Sequence, residues 1–155
     1  GEGDLVILKA FTKLYGMAGV RLGYCLCSDT ELLARMRAAG QPWAVSSLAQ
    51  AAGIAALDET EYVAKVRALI EAQRPVLADG LRALGLRVIE GRANYLLFRA
   101  PEALGEALRR KGAVLRSCGN YPGLDASWYR TAVRTENENR QLLALLAETL
   151  PEVAQ

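Results

Sequence analysis

The chain has 155 residues, 52% of them hydrophobic and 23% charged, a composition that excludes intrinsic disorder and can supply a globular core. The formal net charge of +2 is too small to indicate a nucleic-acid or anionic-membrane partner. The absence of histidine excludes a Ser-His-Asp triad and most zinc sites, so we expect no metal. Three cysteines without a disulfide-framework spacing, and no run of about 18 apolar residues, favour a cytoplasmic protein. A chain that starts at Gly1 without methionine is typical of a piece of a longer protein.

The first predicted elements are two strands joined by a loop that carries a lysine and an arginine. Residues 5–8 with Phe11 are typical of a buried strand, and residues 20–27 predict a second one. Lys13 therefore lies in the loop between them, and Arg21 follows it by eight residues. We expect the apolar strand end to withdraw the Lys13 amine from water, which favours its neutral, nucleophilic form. The guanidinium of Arg21 has the fork geometry that suits a phosphate dianion.

Cys25 and Cys27 lie on one face of the second strand, because side chains alternate along a strand. Such a pair is either a metal or redox site or two small buried side chains. The sequence offers no further ligands beside them, which favours the second interpretation.

Two helices are predicted next. A capping box at Ser28 opens a helix that ends at Gly40. Ser46 or Ser47 then caps an alanine-rich helix over residues 48–57, which is suited to close packing. We place a domain boundary in the linker before this helix, near residue 45.

The remaining pattern alternates helices and strands. The longest helix opens with a cap at Asp58, contains Pro75 and stops at Gly85. Strands are predicted over 86–90, 95–99, 113–117 and 128–133, and helices over 101–112 and from a capping box at Thr135 onward. The sequence from residue 45 therefore predicts an α/β sandwich, a small sheet covered by helices.

The loop from Ala10 to Gly23 resembles the lysine signature of the fold-type I pyridoxal-phosphate enzymes, the aspartate aminotransferase superfamily. Five residues stand where that signature has them: Thr12, Lys13, Gly19, Arg21 and Gly23. The resemblance implies that Lys13 is the catalytic lysine bonded to pyridoxal 5'-phosphate and that Arg21 binds the cofactor phosphate, with Thr12 beside them. Ala10 replaces a serine or threonine that helps to hold this phosphate in many members, which removes one hydrogen bond worth about 1.5–3 kcal/mol.

Residues 128–139 resemble the C-terminal signature of the same superfamily, in which a strand arginine binds the substrate carboxylate. This resemblance makes Arg130 the substrate-binding residue, whereas Arg134 is either a second substrate contact or a structural charge at a helix start. Residues 114–124 look most like the threonine-phosphate decarboxylases of cobalamin biosynthesis, close relatives of histidinol-phosphate aminotransferase. Within that stretch, Arg116 either contacts a substrate phosphate or is a surface residue. Trp43 either lines the substrate cleft or packs between domains.

The resemblance covers nearly the whole chain and implies an α/β fold. Residues 1–44 would be a remnant of the large cofactor-binding domain, and residues 45–155 the C-terminal small domain. The implied activity is that of a pyridoxal-phosphate enzyme acting on an amino acid or phosphorylated amino acid, threonine-phosphate decarboxylase-like, with a histidinol-phosphate-type aminotransferase as the alternative. The implied partners are a small-molecule substrate and, in the full-length protein, a second copy in a homodimer. A non-catalytic small-domain module is the alternative of another class.

Overall fold

The computed structural model describes residues 5–153. Its strands are β1 (Ile7–Ala10), β2 (Gly23–Leu26), β3 (Arg87–Ile89), β4 (Tyr95–Arg99), β5 (Arg116–Ser117) and β6 (Trp128–Ala132). Its helices are α1 (Thr30–Ala39), α2 (Ser47–Asp58), α3 (Thr60–Ala83), α4 (Leu104–Arg110) and α5 (Glu136–Val153), with a short 3₁₀ helix at Ala18–Val20. Across the described part of the chain, no helix combines the length and the apolar character needed to cross a bilayer.

The chain divides into two compact units, and the division falls between Val66 and Arg67, inside α3. The domain boundary predicted near residue 45 concerns the organisation of the parent protein and stays a prediction.

In the first unit, β1 and β2 form a two-stranded antiparallel sheet in which Ile7 lies opposite Leu26 and Ala10 opposite Gly23. The prediction of a buried strand is wrong for β1, because Leu8 is 75% exposed and only the following Phe11 is buried. A two-stranded sheet has no inner position for a strand, and its side chains stay open to water unless another layer covers them.

Both helices of the first unit form close to their predicted positions, but one cap differs. Asp29, and not Ser28, caps α1, because its Oδ1 accepts the backbone N–H of Leu32 at 2.9 Å. Ser46 caps α2 as predicted, and its Oγ accepts the N–H of Ala49 at 3.2 Å. The alanine-rich face of α2 is packed closely, since a Cβ added to Gly53 would overlap the side chain of Leu22.

The long helix α3 begins later than predicted. Asp58 belongs to α2, and only Glu59 separates the two helices, so the predicted cap at Asp58 is wrong. Pro75 lies inside α3. Gly85 ends the helix with a positive φ of 78°, which lets its N–H and that of Leu86 bond to carbonyls of the last turn.

The second unit is built on a four-stranded antiparallel sheet with the strand order β3-β4-β6-β5. The predicted strand over 113–117 is shortened to two residues at its C-terminal end. The reason is that the N–H of Ala113 bonds to the carbonyl of Leu108 at 2.9 Å and so completes the turn that ends α4.

The core of the second unit lies between one face of this sheet and three helices. The buried side chains from the sheet are Leu96, Phe98 and Tyr129, and those from the helices are Leu77 and Leu81 of α3, Leu104 and Leu108 of α4 and Leu146 of α5. The side chains that alternate with these along β4 and β6, such as Tyr95 and Arg130, lie on the opposite face of the sheet. The α/β class predicted from the sequence is thus confirmed.

Candidate active site

Lys13 and Thr12 lie in the loop that joins β1 to β2. The N–H of Phe11 bonds to the carbonyl of Leu22 at 3.1 Å and extends the ladder of the two strands into the loop. The carbonyl of Lys13 then accepts the N–H of Gly16 at 3.1 Å, which closes a turn directly after the lysine. The Phe11–Leu22 bond holds the two ends of the loop together, and the turn at Gly16 fixes the backbone just after Lys13.

The surroundings of Lys13 differ from the sequence expectation. Its side chain is exposed, while Thr12 is half-buried. The prediction that apolar neighbours withdraw the amine from water is therefore wrong for the described chain, because the hairpin that carries the loop is itself exposed. Among the described residues Lys13 has no ion-pair partner, so its amine is accessible to a ligand.

Arg21 adopts an unusual backbone conformation at the far side of the same loop. It follows the 3₁₀ helix in the left-handed region, with φ of 57° and ψ of 42°. This conformation costs a non-glycine residue about 1–2 kcal/mol and is found disproportionately at functional sites. The exposed guanidinium makes one hydrogen bond, from Nη1 to the carbonyl of Ala18 at 3.3 Å, which leaves most of its donors available to an anion.

Arg116 and Arg130 lie directly opposite each other on β5 and β6. Like charges in this position destabilise a sheet, and no carboxylate among residues 5–153 forms an ion pair with either of them. The guanidinium of half-buried Arg130 lies 4.6 Å from the ring centroid of Tyr95, and that of Arg116 donates to Asn120 Oδ1 at 3.3 Å. Two arginines opposite each other in a sheet, without acidic partners, are suited to a ligand with two anionic groups.

Arg134 has a structural role in the described chain. Its Nε lies 2.9 Å from Glu138 Oε1, one turn into α5. Glu138 also accepts the hydroxyl of Thr135 at 2.7 Å, and this hydrogen bond, followed by one from the Thr135 backbone, lowers the pKa of the Glu138 carboxyl. The predicted capping box is confirmed, and of the two interpretations of Arg134 the structural charge is the one favoured.

The two remaining sequence candidates show no site. Cys25 and Cys27 are half-buried free thiols, and the described residues contain no cluster of three or more His, Cys, Asp or Glu that would hold a metal. Trp43 is 98% exposed and has a positive φ of 60°, so it does not pack against the described chain.

Sequence reasoning missed the contact of Tyr95 with Arg130. Alternation along β4 places Tyr95 and Leu97 on one face, and this much is readable from the sequence. Their position beside Arg130 depends on the pairing of β4 with β6, in which Leu97 lies opposite Arg130. This long-range register is not encoded in either strand alone.

The profile of the aminotransferase class I and II family matches residues 1–146, and the chain belongs to this family. The sequence is 38% identical to a threonine-phosphate decarboxylase of Salmonella typhimurium over 152 residues, covering 96% of this chain and 42% of that protein. It is 40% identical to a histidinol-phosphate aminotransferase of Symbiobacterium thermophilum, covering 96% and 41%. The chain thus spans less than half the length of these relatives, which are named as enzymes.

Solved structures agree with this membership. The histidinol-phosphate aminotransferase of Clostridium acetobutylicum superposes with a TM-score of 0.89 at 31% identity, covering 96% of this chain and 46% of that one. A histidinol-phosphate aminotransferase of Sinorhizobium meliloti, solved in complex with pyridoxal-5'-phosphate, has a TM-score of 0.75 at 25% identity, covering 96% and 40%. The resemblance drawn from the sequence signatures is confirmed at the level of the family.

Proposed function

We propose that this chain is the C-terminal part of a pyridoxal-phosphate enzyme that acts on a phosphorylated amino acid, as a threonine-phosphate decarboxylase does. The observation that carries the proposal is the β1–β2 loop, which holds Lys13 and Arg21 at the positions of the family's lysine signature. Residues 1–44 then belong to the cofactor-binding domain and residues 45–155 to the small domain.

The residues of the loop fit the cofactor chemically. An accessible primary amine can bond an aldehyde, and a guanidinium with open donors can bind a phosphate dianion. Lys13 would hold the aldehyde carbon, and Arg21 the phosphate, with the hydroxyl of Thr12 next to the lysine. When bound, pyridoxal phosphate supplies an electron sink for bonds broken at the substrate α-carbon.

The two arginines of the second unit supply the substrate contacts in this proposal. Arg130 pairs with the α-carboxylate through two parallel hydrogen bonds, which fixes its orientation as well as its position. Arg116, directly opposite in the sheet, binds the substrate phosphate. A substrate with both a carboxylate and a phosphate gives each of these like charges an anionic partner of its own.

A histidinol-phosphate-type aminotransferase is the second candidate, and it is favoured by the 40% identity to such an enzyme. In that reaction Lys13 would take the proton from the substrate α-carbon as general base. Arg130 and Arg116 would then share the phosphate of a substrate that has no carboxylate.

The deciding experiment supplies the full-length protein and pyridoxal phosphate with L-threonine O-3-phosphate. Release of CO₂ that is lost in Lys13→Ala and reduced in Arg130→Gln is the expected result. Amino transfer from histidinol phosphate to 2-oxoglutarate without CO₂ release would identify the second candidate.

The alternative hypothesis, in which this chain is a non-catalytic module, is tested with the cofactor alone. We expect weak or no cofactor binding by residues 1–155 and stable binding by the full-length protein, seen as a visible absorbance band that disappears in Lys13→Ala. A full-length protein without such a band would support the module.

A homodimer and a cytoplasmic location complete the proposal. Sedimentation of the full-length protein measures whether it is a dimer.

A further inference from the structure

The sheet face that turns away from the core carries a second pair of opposed arginines. Cross-strand register places Arg87 of β3 opposite Arg99 of β4, and Arg99 opposite Trp128 of β6. Compared with the row that contains Arg130, this row lies two residues further along β4 and two residues earlier in the antiparallel β6. The proposed reaction makes no use of it.

The charge of Arg87 is not neutralised within the described residues. Its guanidinium lies 5.6 Å from the ring centroid of Trp128, a cation–π distance, and no carboxylate of residues 5–153 is within ion-pair distance of it. Arg99 donates from Nε to Ser127 Oγ at 2.9 Å, and its Nη2 is 3.8 Å from Asp125 Oδ2, with both side chains more than half exposed. Exposed pairs at this distance contribute little, so Arg99 can still bind another anion.

An open cleft of about 530 Å³ adjoins the row, and Arg87, Arg99 and Ser127 line it. The cleft is open to solvent, and Trp128 lies outside its lining. Like charges opposite each other destabilise a sheet, and an anion between the two guanidiniums would relieve this repulsion.

We propose that Arg87, Arg99 and Trp128 form a second anion site, separate from Arg116 and Arg130, that binds inorganic phosphate or a small phosphate monoester. The two guanidiniums bind the phosphate oxygens, while the Ser127 hydroxyl donates to Asp125 Oδ1 and accepts the Nε–H of Arg99, which positions that guanidinium. The indole of Trp128 holds the Arg87 guanidinium in position through its ring face.

The acidic residues around the cleft favour a small ligand over a polymer. Glu102 belongs to the cleft lining, and Asp125 lies beside Arg99. Hydrogen bonds from the Ser127 hydroxyl and backbone lower the pKa of the Asp125 carboxyl, so it is anionic at neutral pH. These charges repel an extended polyanion such as RNA, whereas a single phosphate group can be held between the two arginines.

The test uses Trp128 as a local reporter in the whole chain. The sequence contains two tryptophans, so Trp43→Phe leaves Trp128 as the single one. Titration with inorganic phosphate, against chloride at equal ionic strength, should give a saturable change of tryptophan fluorescence with a Kd of about 1 mM or tighter. Glycerol 3-phosphate is titrated in parallel, and its tighter binding would identify an esterified phosphate as the preferred ligand.

Matched variants decide whether the site is the one proposed. Arg87→Gln or Arg99→Gln should weaken binding about tenfold, which corresponds to one charge-assisted contact. Asp125→Asn keeps an Oδ1 acceptor for Ser127 but removes the charge, so binding should tighten a few-fold. The double variant Arg116→Gln/Arg130→Gln, which removes the proposed substrate contacts, should keep the saturable change of Trp128 fluorescence. So should Arg109→Gln, which removes an equal charge from α4, a helix that packs on the other face of the sheet.

Two results would overturn the proposal. One is the absence of saturation with either ligand in the Trp43→Phe chain. The other is dependence on the wrong arginines, which means binding that survives both Arg87→Gln and Arg99→Gln or that is lost in Arg116→Gln/Arg130→Gln. Circular dichroism of each variant shows whether a loss of binding reflects a loss of the fold.

Discussion

Arg21 combines a strained left-handed backbone with a side chain that can bind an anion. Its backbone lies at φ of 57°, where a Cβ is unfavourable, while its side chain is suited to a cofactor phosphate. Replacement by alanine removes the guanidinium but keeps the Cβ, and replacement by glycine removes both. The pair of variants therefore distinguishes backbone strain from binding at a single position.

We expect Arg21→Gly to be more stable than Arg21→Ala by about 1 kcal/mol, because glycine adopts positive φ without a steric cost. Urea unfolding of the two variants measures this difference. Both should lose cofactor retention in the full-length protein to the same extent. Equal stability of the two would mean that the left-handed backbone carries no strain.

We expect the ring of Tyr95 to support the proposed binding of substrate by Arg130, since it lies 4.6 Å from the guanidinium. Tyr95→Leu in the full-length enzyme removes a cation–π contact worth about 0.5–1 kcal/mol and should raise KM roughly two- to fivefold. Tyr95→Phe keeps the aromatic face and serves as the control. A KM that rises equally in both variants would assign the effect to the hydroxyl instead.

At the scale of elements, the start of α5 depends on the reciprocal bonds between Thr135 and Glu138. The Thr135 hydroxyl and N–H both bond to Glu138 Oε2, and these contacts lower the pKa of the carboxyl. A carboxyl whose folded pKa is below its unfolded value stabilises the fold above the unfolded pKa, and this contribution is lost as the pH falls through the folded pKa.

Thr135→Ala should therefore destabilise the chain at neutral pH by about 1 kcal/mol, the usual cost of a lost N-terminal cap. Part of this difference should disappear as the pH falls from about 5 to about 3, because the ordinary glutamate pKa lies near 4.3 and protonation weakens the box in the parent. Thermal unfolding across this range measures the effect, and Thr135→Ser is the control that keeps the hydroxyl. A pH-independent difference would show that the carboxylate charge does not contribute.

The sequence predicted helix caps and helix ends well, because these features depend on residues close together in the chain. The Thr135 box, the Ser46 cap and the stop at Gly85 each involve residues within a few positions of one another. The cap of α1 is Asp29 and not the predicted Ser28, because these two adjacent residues both carry side chains that can cap a helix. The exposure of Lys13 and the stacking of Tyr95 on Arg130 depend on which elements pack or pair, and neighbouring residues do not determine that.

On the scale of the whole chain, the two units differ in how much core each contains. Every side chain of the main hydrophobic cluster, from Ile70 to Val153, lies in the second unit. The buried hydrophobic side chains before it are Phe11, Ala49 and Ala56 within the described residues. Burial of apolar surface is the dominant favourable term in folding, so most of the stability should reside in the second unit.

A fragment of residues 60–155, which keeps α3 whole, should therefore fold by itself and unfold in one cooperative transition. Far-ultraviolet circular dichroism with thermal unfolding tests this expectation. As a control, Leu81→Ala in the same fragment should lower the free energy of unfolding by about 2–5 kcal/mol, because Leu81 is fully buried. A fragment without a cooperative transition would show that the first unit is required for folding.

The alternation of Tyr129 and Arg130 also bears on how β6 finds its neighbours during folding. Tyr129 is 2% exposed and its hydroxyl donates to the carbonyl of Glu102 at 2.6 Å, while Arg130 lies on the face opposite the core. A shift of the strand by one residue would exchange the two faces and bury a guanidinium among leucines, at a cost of several kcal/mol. The arginine proposed to bind substrate therefore also disfavours mispaired sheets, so a neutral substitution at residue 130 would both remove a ligand contact and make wrong registers more accessible.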